Sequence, residues 1–359
     1  MPDRVGDGRL ETSIYRVFDI EQDAAALDRA AALLRAGRLV VIPTETVYGL
    51  AADALNPSAA SAIYAAKGRP SDNPLIVHIA DPEQARPLVK RLPDAYFALA
   101  ERFWPGPMTV ILEKSARVPY ETSGGLETVA LRMPSHPVAR ELIRRAGTPL
   151  AAPSANLSGS PSPTCAGHCI QDLTGRVDAI IDGGSCTVGV ESTVLTLCTD
   201  PPAILRPGAV TLEMLREVLP DIRLDPGVFA HLPDGAKAAS PGMKYRHYAP
   251  KARVVLLWGT LEQFAAYLEA QPPGCGVLCF EGEQARFGGH PCVTYGRRDD
   301  PVSQAQALFG ALRRIDELGL TSVYARVDSP DGVGQAVYNR LLRAAGFTEI
   351  RLGWEESAT

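Results

Sequence analysis

Short apolar segments alternate with amphipathic helical segments along most of the chain, and this alternation constrains the fold more than any other feature. Residues 39–43 and 128–132 are rich in β-branched and aliphatic side chains, which is typical of buried strands. Residues 57–66 and 137–147 each begin with proline and carry apolar side chains at helical spacing. Residues 192–197 and 203–208 are predicted to form an antiparallel pair. The chain is therefore predicted to have an α/β fold.

The length of 359 residues predicts two domains. Proline and glycine interrupt the stretch from about residue 220 to 250, and a second alternation of strands and helices begins at residue 253. The predicted organisation is an N-terminal tail at 1–19, a catalytic domain at 20–220, a linker at 221–250 and a small open-sheet α/β domain at 251–359.

Composition argues against two broad classes of function. No apolar run reaches the roughly 18 residues that a membrane helix requires, so no membrane partner is expected. The net charge of −5 and the isoelectric point near 5.8 argue against stable nucleic-acid binding, because that binding depends on a basic surface. The seven cysteines are odd in number and scattered, which predicts a reducing, cytoplasmic location.

Two polar motifs, Lys67-Gly68-Arg69 and Ser154-Ala155-Asn156, stand at the ends of apolar segments. On an extended segment, two cations two positions apart point the same way and can clamp an anion, and serine and asparagine can add neutral hydrogen bonds. A solvated helix end and a simple turn are the alternatives. His78 lies on an apolar strand, where it is either a core residue or a ligand of the substrate.

The usual nucleotide and metal signatures are missing from the sequence. It contains no Gly-x-x-x-x-Gly-Lys-Ser/Thr loop and no Gly-x-Gly-x-x-Gly after a strand, so a phosphate site would be built from side chains and irregular loops. Cys165, His168 and Cys169 lack a second ligand pair at zinc spacing, and a helix that opens after Thr164 is the preferred interpretation. No metal ligands are predicted.

Eight motifs in fixed order carry a family resemblance over roughly residues 20–220. The chain resembles threonylcarbamoyl-AMP synthases of the YrdC type, and residues 241–250 with the domain that follows resemble the long, two-domain form. The motifs are Pro43 to Leu50, Lys67 to Pro70, Asn73 to Leu75, Trp104 to Pro107, Val129 to Pro134, Pro153 to Asn156, Glu191 to Thr193 and Leu205 to Gly208.

The resemblance implies a twisted mixed α/β sheet around a large cationic cavity, and an enzyme that converts L-threonine, bicarbonate and ATP to threonylcarbamoyl-AMP and pyrophosphate. That product serves N6-threonylcarbamoylation of tRNA adenosine through downstream transfer proteins. ATP is a substrate, and Mg²⁺ is expected on the leaving pyrophosphate.

The resemblance also implies the site residues. Lys67 and Arg69 are the expected catalytic residues, and Tyr245 in the linker is the candidate lid over the nucleotide. Threonine is expected to bind Thr44, His78, Arg132 and Ser192. ATP is expected to bind Lys67, Arg69, Asn73, Thr128, Ser154, Asn156, Ser162, Arg206 and Tyr245.

Two other classes of function remain as alternatives. One is an RNA-binding protein whose cationic pocket grips backbone phosphate, against which the acidic isoelectric point speaks. The other is a carbamoyltransferase that uses carbamoyl phosphate.

Overall fold

The computed structural model describes residues 10–230, 248–328 and 330–353, which fall into two compact units. The first unit comprises residues 10–158 and 162–230, and the second comprises residues 159–161 and 248–353. Each unit has its own sheet.

The sheet of the first unit has eleven strands among the described residues, in the order β1-β8-β2-β3-β7-β4-β6-β5-β9-β10-β11. The strands are β1 Ser13–Arg16, β2 Val40–Ile42, β3 Gly49–Asp53, β4 Ile76–His78, β5 Met108–Glu113, β6 Thr128–Arg132, β7 Leu150–Ala151, β8 Ala179–Asp182, β9 Thr193–Thr196, β10 Ala203–Arg206 and β11 Arg223–Leu224.

Parallel and antiparallel pairs are mixed within this sheet. β4 pairs with β6 in parallel, whereas β5 pairs with β6 and β9 with β10 in antiparallel fashion. The predicted antiparallel pair is confirmed. The α-helices of this unit are α1 Ala24–Arg35, α2 Pro57–Lys67, α3 Asp94–Phe103, α4 Tyr120–Ser123, α5 Pro137–Ala146, α6 Ala166–Leu173 and α7 Leu212–Arg216, with short 3₁₀ helices at Pro82–Leu88 and Pro226–Val228.

The two faces of this sheet are covered differently. One face packs its apolar side chains with helices α2, α3 and α6 in a large core. The opposite face packs against α1 and α5 along the β8-β2-β3-β7 half of the sheet. Along the other half, that face carries a small apolar cluster built only from strand residues. Polar side chains, among them His78 and Arg132, lie on the same face beside this cluster.

Three expectations about local structure need correction. The sequence predicts a loop over residues 44–50 after the strand at 39–43, but Gly49 and Leu50 belong to β3, whose small side chains such as Ala51 and Ala52 let it pair between β2 and β7. Part of the predicted tail belongs to the sheet, since β1 pairs in parallel with β8. Within the predicted linker 221–250, β11 pairs with β10. Residues 231–247 of that linker lie outside the described residues.

The second unit contains a parallel sheet of five described strands in the order β14-β13-β15-β12-β16. Its strands are β12 Arg253–Trp258, β13 Gly276–Cys279, β14 Cys292–Thr294, β15 Ser322–Val327 and β16 Glu349–Arg351; its helices are α8 Leu261–Glu269, α9 Pro301–Glu317 and α10 Gly334–Ala344, with a 3₁₀ turn at Gln284–Arg286. Parallel strands joined by helices are the predicted open-sheet architecture.

Among the described residues, the helices are too short or too polar to span a lipid bilayer.

Candidate functional site

Strand register brings predicted site residues from β4, β6, β9 and β10, together with Thr109 from β5, to the same face of the first sheet. The small apolar cluster on that face includes Ile76, Ala130 and Val194. Because side chains alternate along a strand, residues two positions away share this face. The polar residues that share this face are His78 on β4, Thr128 and Arg132 on β6, Thr109 on β5, Ser192 before β9, and Arg206, which is paired with Val194.

Ser192 is the centre of a buried hydrogen-bond cluster at the start of β9. Its hydroxyl lies 2.8 Å from the hydroxyl of Thr109 and accepts a hydrogen bond of 3.2 Å from Nη2 of Arg206. Nε of Arg206 donates to the main-chain oxygen of Ser192 at 3.1 Å. Ser192 therefore holds the guanidinium group of Arg206 in a fixed orientation. Close packing requires glycine at position 208, where a Cβ atom would overlap Thr193.

Lys67 joins the two polar motifs. It is the last residue of α2, and its buried ammonium group donates hydrogen bonds to the main-chain oxygens of Ser154 and Asn156. Oδ1 of Asn156 lies 3.4 Å from the same nitrogen. The hydroxyl of Ser154 donates to Oδ1 of Asn156 at 2.6 Å, and Ser154 also bridges Gly49 of β3. One cation thus organises the whole 154–156 loop.

The expected geometry of the clamp is wrong. Lys67 ends a helix and Gly68 has a φ of 61°, so the Lys67–Arg69 segment is not extended and its side chains do not alternate. Glycine suits this left-handed position because it has no Cβ atom. Nη2 of Arg69 instead donates to the main-chain oxygens of Asn73 and Pro74, at 3.2 and 3.0 Å. The two cations hold two different loops.

Asn73 and Thr128 lie at the same end of the β4–β6 pair. The strands run parallel, Asn73 precedes β4 and Thr128 begins β6. The main-chain oxygen of Asn73 also accepts from the hydroxyl of Tyr64 at 3.1 Å. Within the described residues, the buried Oδ1 of Asn73 has no hydrogen-bond partner. This oxygen is therefore available to a polar ligand.

Thr44 shapes the loop that follows β2. Its hydroxyl donates to the main-chain oxygen of Val47 at 2.5 Å and accepts from the main-chain N–H groups of Thr46 and Val47. These bonds form the kind of turn that threonine stabilises in loops. The turn carries Glu45, whose Oε1 lies 2.8 Å from Nη2 of Arg132. Both side chains are buried.

His78 lies on the polar face beside Arg132 rather than in the helix-packed core. The two residues are paired in register, and Nδ1 of His78 lies 3.1 Å from the main-chain oxygen of Ile76. Burial, and then the positive charge of Arg132, lower the pKa of the imidazole to about 3. His78 is therefore neutral at physiological pH, and a contact with threonine stays a prediction.

Ser162 is fully buried and donates a hydrogen bond to Oε1 of Glu191, the residue that precedes Ser192. This contact links the loop that follows β7 to the start of β9. Tyr245, the remaining expected ATP contact, lies outside the described residues.

Three residues near the expected ligands were not assigned from the sequence. Glu45 and Glu191 stand inside motifs that carry the resemblance, and each contacts an expected site residue. Thr109 has no motif of its own, but its register opposite Arg132 and beside β9 brings it to Ser192. Thr109 lies two positions before Ile111 of the apolar cluster, and this spacing is the signal that could have identified it from the sequence.

Comparison with known proteins identifies the family. A family model described as telomere recombination matches residues 32–208, and a model of the threonylcarbamoyl-AMP synthase C-terminal domain matches residues 210–346. The threonylcarbamoyl-AMP synthase of Pyrococcus abyssi is 45% identical over 329 residues, covering 90% of this chain and 95% of its own. The chain belongs to the threonylcarbamoyl-AMP synthase family.

Further members of the family support the assignment along nearly the whole chain. The Bacillus subtilis threonylcarbamoyl-AMP synthase is 46% identical over 327 residues, covering 90% of this chain and 94% of its own. The crystal structure of P. abyssi Sua5 complexed with L-threonine has a TM-score of 0.87 and 43% identity, covering 95% of this chain and 99% of that one. The predicted family, fold class and two-domain form are confirmed.

Proposed function

We propose that this chain is a threonylcarbamoyl-AMP synthase that converts L-threonine, bicarbonate and ATP to threonylcarbamoyl-AMP and pyrophosphate. Membership of the family supports the reaction, and so does the threonine that the P. abyssi relative binds. The observation that best supports the proposed site residues is the strand register. It brings His78, Arg132, Ser192 and Arg206 to one polar face. Such convergence of polar groups is what a small-molecule site requires.

Threonine would bind Thr44, His78, Arg132 and Ser192 in this proposal. The guanidinium group of Arg132 is the natural partner of the amino-acid carboxylate, since its planar fork matches a carboxylate in two-point contact. Burial strengthens such a contact, because the local dielectric constant is low.

ATP would occupy the region around the Lys67 and Arg69 loops. The proposed contacts are the expected ones from the sequence, and the fixed loops support them by presenting hydroxyl and amide groups without further ordering. These contacts are Lys67, Arg69, Asn73, Thr128, Ser154, Asn156, Ser162, Arg206 and Tyr245.

The proposed chemistry has two steps. The amine of threonine forms a carbamate with bicarbonate, and a carbamate oxygen then attacks the α-phosphorus of ATP with pyrophosphate as the leaving group. Two anions must meet in the second step, so charge stabilisation and positioning are the main demands on the protein. Lys67, Arg69, Arg132 and Arg206 are buried and offer this charge without a covalent nucleophile.

Mg²⁺ fits this proposal as an ion carried by the triphosphate. Among the described residues, no group of three or more His, Cys, Asp or Glu side chains could hold a metal ion. Mg²⁺ commonly keeps several waters and binds substrate phosphates, so the nucleotide can supply its ligands. It would neutralise charge on the leaving pyrophosphate.

The product would pass to downstream proteins that transfer the threonylcarbamoyl group to tRNA adenosine. A cytoplasmic location suits this role. All seven cysteines are free in the structure, which is compatible with a reducing compartment.

One assay tests the proposed function. The full chain is incubated with ATP, Mg²⁺, labelled bicarbonate and L-threonine, and pyrophosphate and labelled adenylate are measured. We expect pyrophosphate release that requires threonine, with label in an adenylate. Release that ignores threonine would overturn the proposal, label transfer from carbamoyl phosphate would favour a carbamoyltransferase, and tight tRNA binding without turnover would favour an RNA-binding protein.

A further inference from the structure

The carboxylate of Glu45 is buried without the hydrogen bonds that a buried charge normally has. The residue is only 5% exposed, and within residues 10–230, 248–328 and 330–353 neither of its oxygens has a hydrogen-bond partner. Its one close charged contact is Nη2 of Arg132, 2.8 Å from Oε1, at an angle that does not make a hydrogen bond. A buried group in this state costs free energy, which points to a ligand that completes its bonding.

Arg132 is in the same condition. Its Nε and Nη2 atoms are buried and lack hydrogen-bond partners among the described residues. These two nitrogens form one edge of the guanidinium group, and that edge is the one that grips a carboxylate in two-point fashion. Glu45 and Arg132 are therefore a buried ion pair in which both carboxylate oxygens and the Nε–Nη2 edge lack hydrogen-bond partners among the described residues.

The pair is complementary to a free α-amino acid. An amino acid at neutral pH carries a carboxylate and an ammonium group on the same carbon, and an adjacent arginine and glutamate can match both charges. The loop fixes the main chain at Glu45, because the main-chain oxygen of Glu45 accepts from Val188 N at 2.8 Å and the Thr44 turn fixes the next residues. A buried carboxylate on such a loop can discriminate between amino acids and analogues that lack the ammonium group.

We propose that Glu45 binds the α-ammonium group of threonine and accepts the proton released when the carbamate forms. This inference rests on the proposed function and adds to it a residue that contacts the reacting nitrogen. Arg132 holds the carboxylate of the same molecule, so the amino acid lies across the Glu45–Arg132 pair. The ammonium group must lose protons before nitrogen can attack, and Glu45 is the base in reach.

The step balances when Glu45 takes one proton. Threonine ammonium, bicarbonate and the Glu45 carboxylate give threonine carbamate, water and the Glu45 carboxylic acid. The nitrogen–carbon bond forms while the carbon–hydroxyl bond of bicarbonate breaks. Of the three ammonium protons, one leaves in the water, one goes to Glu45 and one stays on nitrogen. Glu45 returns its proton to solvent before the next turnover.

Three titratable or charged groups from neighbouring elements act on Glu45. They are Arg132 on β6, His136 at the start of α5 and Cys186 after β8. Burial raises the pKa of the Cys186 thiol to about 12 and lowers that of His136. Of these three groups, Arg132 is thus the one that carries a charge at neutral pH.

The test uses the full chain with Glu45→Gln, which keeps the size of the side chain and removes its charge. Glu113→Gln is the matched control, because Glu113 is an exposed residue on β5 paired with Lys90. Calorimetry measures binding of threonine, of its α-hydroxy analogue 2,3-dihydroxybutyrate, and of ATP. Pyrophosphate release is followed from pH 6.5 to 9.

We expect the unmodified chain to prefer threonine over the hydroxy analogue by at least about 100-fold. Glu45→Gln should lose most of that preference, keep ATP affinity within about twofold, and lose at least about 100-fold in turnover at pH 7. Its residual rate should climb more steeply with pH than that of the unmodified chain, because more of the free amine is then present without a base. Glu113→Gln should match the unmodified chain.

Two results would overturn the inference while leaving the proposed function intact. One is near-normal threonine affinity and turnover in Glu45→Gln. The other is an equal loss for threonine and the hydroxy analogue, which would mean that Glu45 only orients Arg132. If the unmodified chain neither binds threonine nor needs it for pyrophosphate release, the proposed function fails and this inference fails with it.

Discussion

The ammonium group of Lys67, at the end of α2, donates hydrogen bonds to the main-chain oxygens of both Ser154 and Asn156. An ammonium group has three N–H donors, and Oδ1 of Asn156 lies 3.4 Å from it as a third oxygen. The charge is therefore engaged in holding the 154–156 loop. Loss of Lys67 should act on the loop first.

Lys67→Met should reduce threonine-dependent pyrophosphate release by at least about 100-fold and weaken ATP binding. Methionine fills a similar volume but leaves the oxygens of Ser154 and Asn156 unsatisfied, which should cost about 1–3 kcal/mol of stability. Rates, calorimetric ATP affinity and urea unfolding measure the three effects. Lys90→Met, at an exposed surface pair, is the control. Normal turnover in Lys67→Met would show that neither the loop nor the charge matters.

Thr109→Val should raise the KM for threonine by about tenfold with a smaller effect on ATP. Valine keeps the shape of the side chain but removes the hydroxyl that lies 2.8 Å from Ser192. One missing buried hydrogen bond is worth about 1 kcal/mol, and the Arg206 guanidinium loses part of its fixed support. Steady-state kinetics with threonine varied measure this. Thr174→Val, at an exposed helix end, is the control and should behave as the unmodified chain. A similar change in KM in Thr174→Val would show that the effect does not come from the hydrogen bond between Thr109 and Ser192.

The local elements were largely predictable because their signals are local. The strand at 128–132 and the helices predicted at 57–66 and 137–147 are present within one residue of their predicted bounds, and the helix after Thr164 is present as α6. β3 was missed because Gly49–Asp53 lacks the β-branched side chains that mark a strand. β1 was missed because it is short, mostly exposed and supported by one parallel neighbour.

The site was less predictable because its contacts are long-range. Thr109 and Ser192 are 83 residues apart, and only the β5–β9 register brings them together. The predicted Lys67–Arg69 anion clamp is wrong for a local reason. Gly68 has a left-handed conformation, so the side chains of Lys67 and Arg69 do not alternate as they would on an extended segment. Glu45 was visible as part of a motif, but its buried carboxylate beside Arg132 depends on tertiary packing. Sequence patterns indicate on which face of a strand a side chain lies, but they do not indicate which residue of another strand lies next to it.

Removal of divalent cations should abolish pyrophosphate release while leaving threonine binding in place. The described residues hold no cluster able to bind a metal by itself, so Mg²⁺ would enter with ATP and the threonine contacts would not need it. Turnover after EDTA treatment, with and without added Mg²⁺, and calorimetric threonine affinity are the measurements. Full turnover in EDTA would show that the arginine and lysine side chains neutralise the triphosphate alone.

The buried His78 should make the first unit less stable in mild acid. Its pKa is lowered from 6.5 to about 3, so the folded chain stays unprotonated between these values while the unfolded chain binds a proton. The stability that neutral His78 contributes is complete above pH 6.5 and is lost progressively as the pH falls towards 3. Each pH unit of this window corresponds to about 1.4 kcal/mol, or about 2 kcal/mol between pH 6.5 and pH 5.

His78→Asn removes this titration, so the drop in unfolding free energy between pH 7 and pH 5 should be smaller by about 2 kcal/mol than in the unmodified chain. Urea unfolding at each pH, followed by circular dichroism and fitted separately for the two units, measures the difference. Other titrating groups, including His136, are shared by both proteins and cancel. Between pH 7 and pH 8 the two proteins should differ by a constant amount. An equal acid-induced loss in both would mean that His78 is protonated in the folded chain, contrary to its burial beside Arg132.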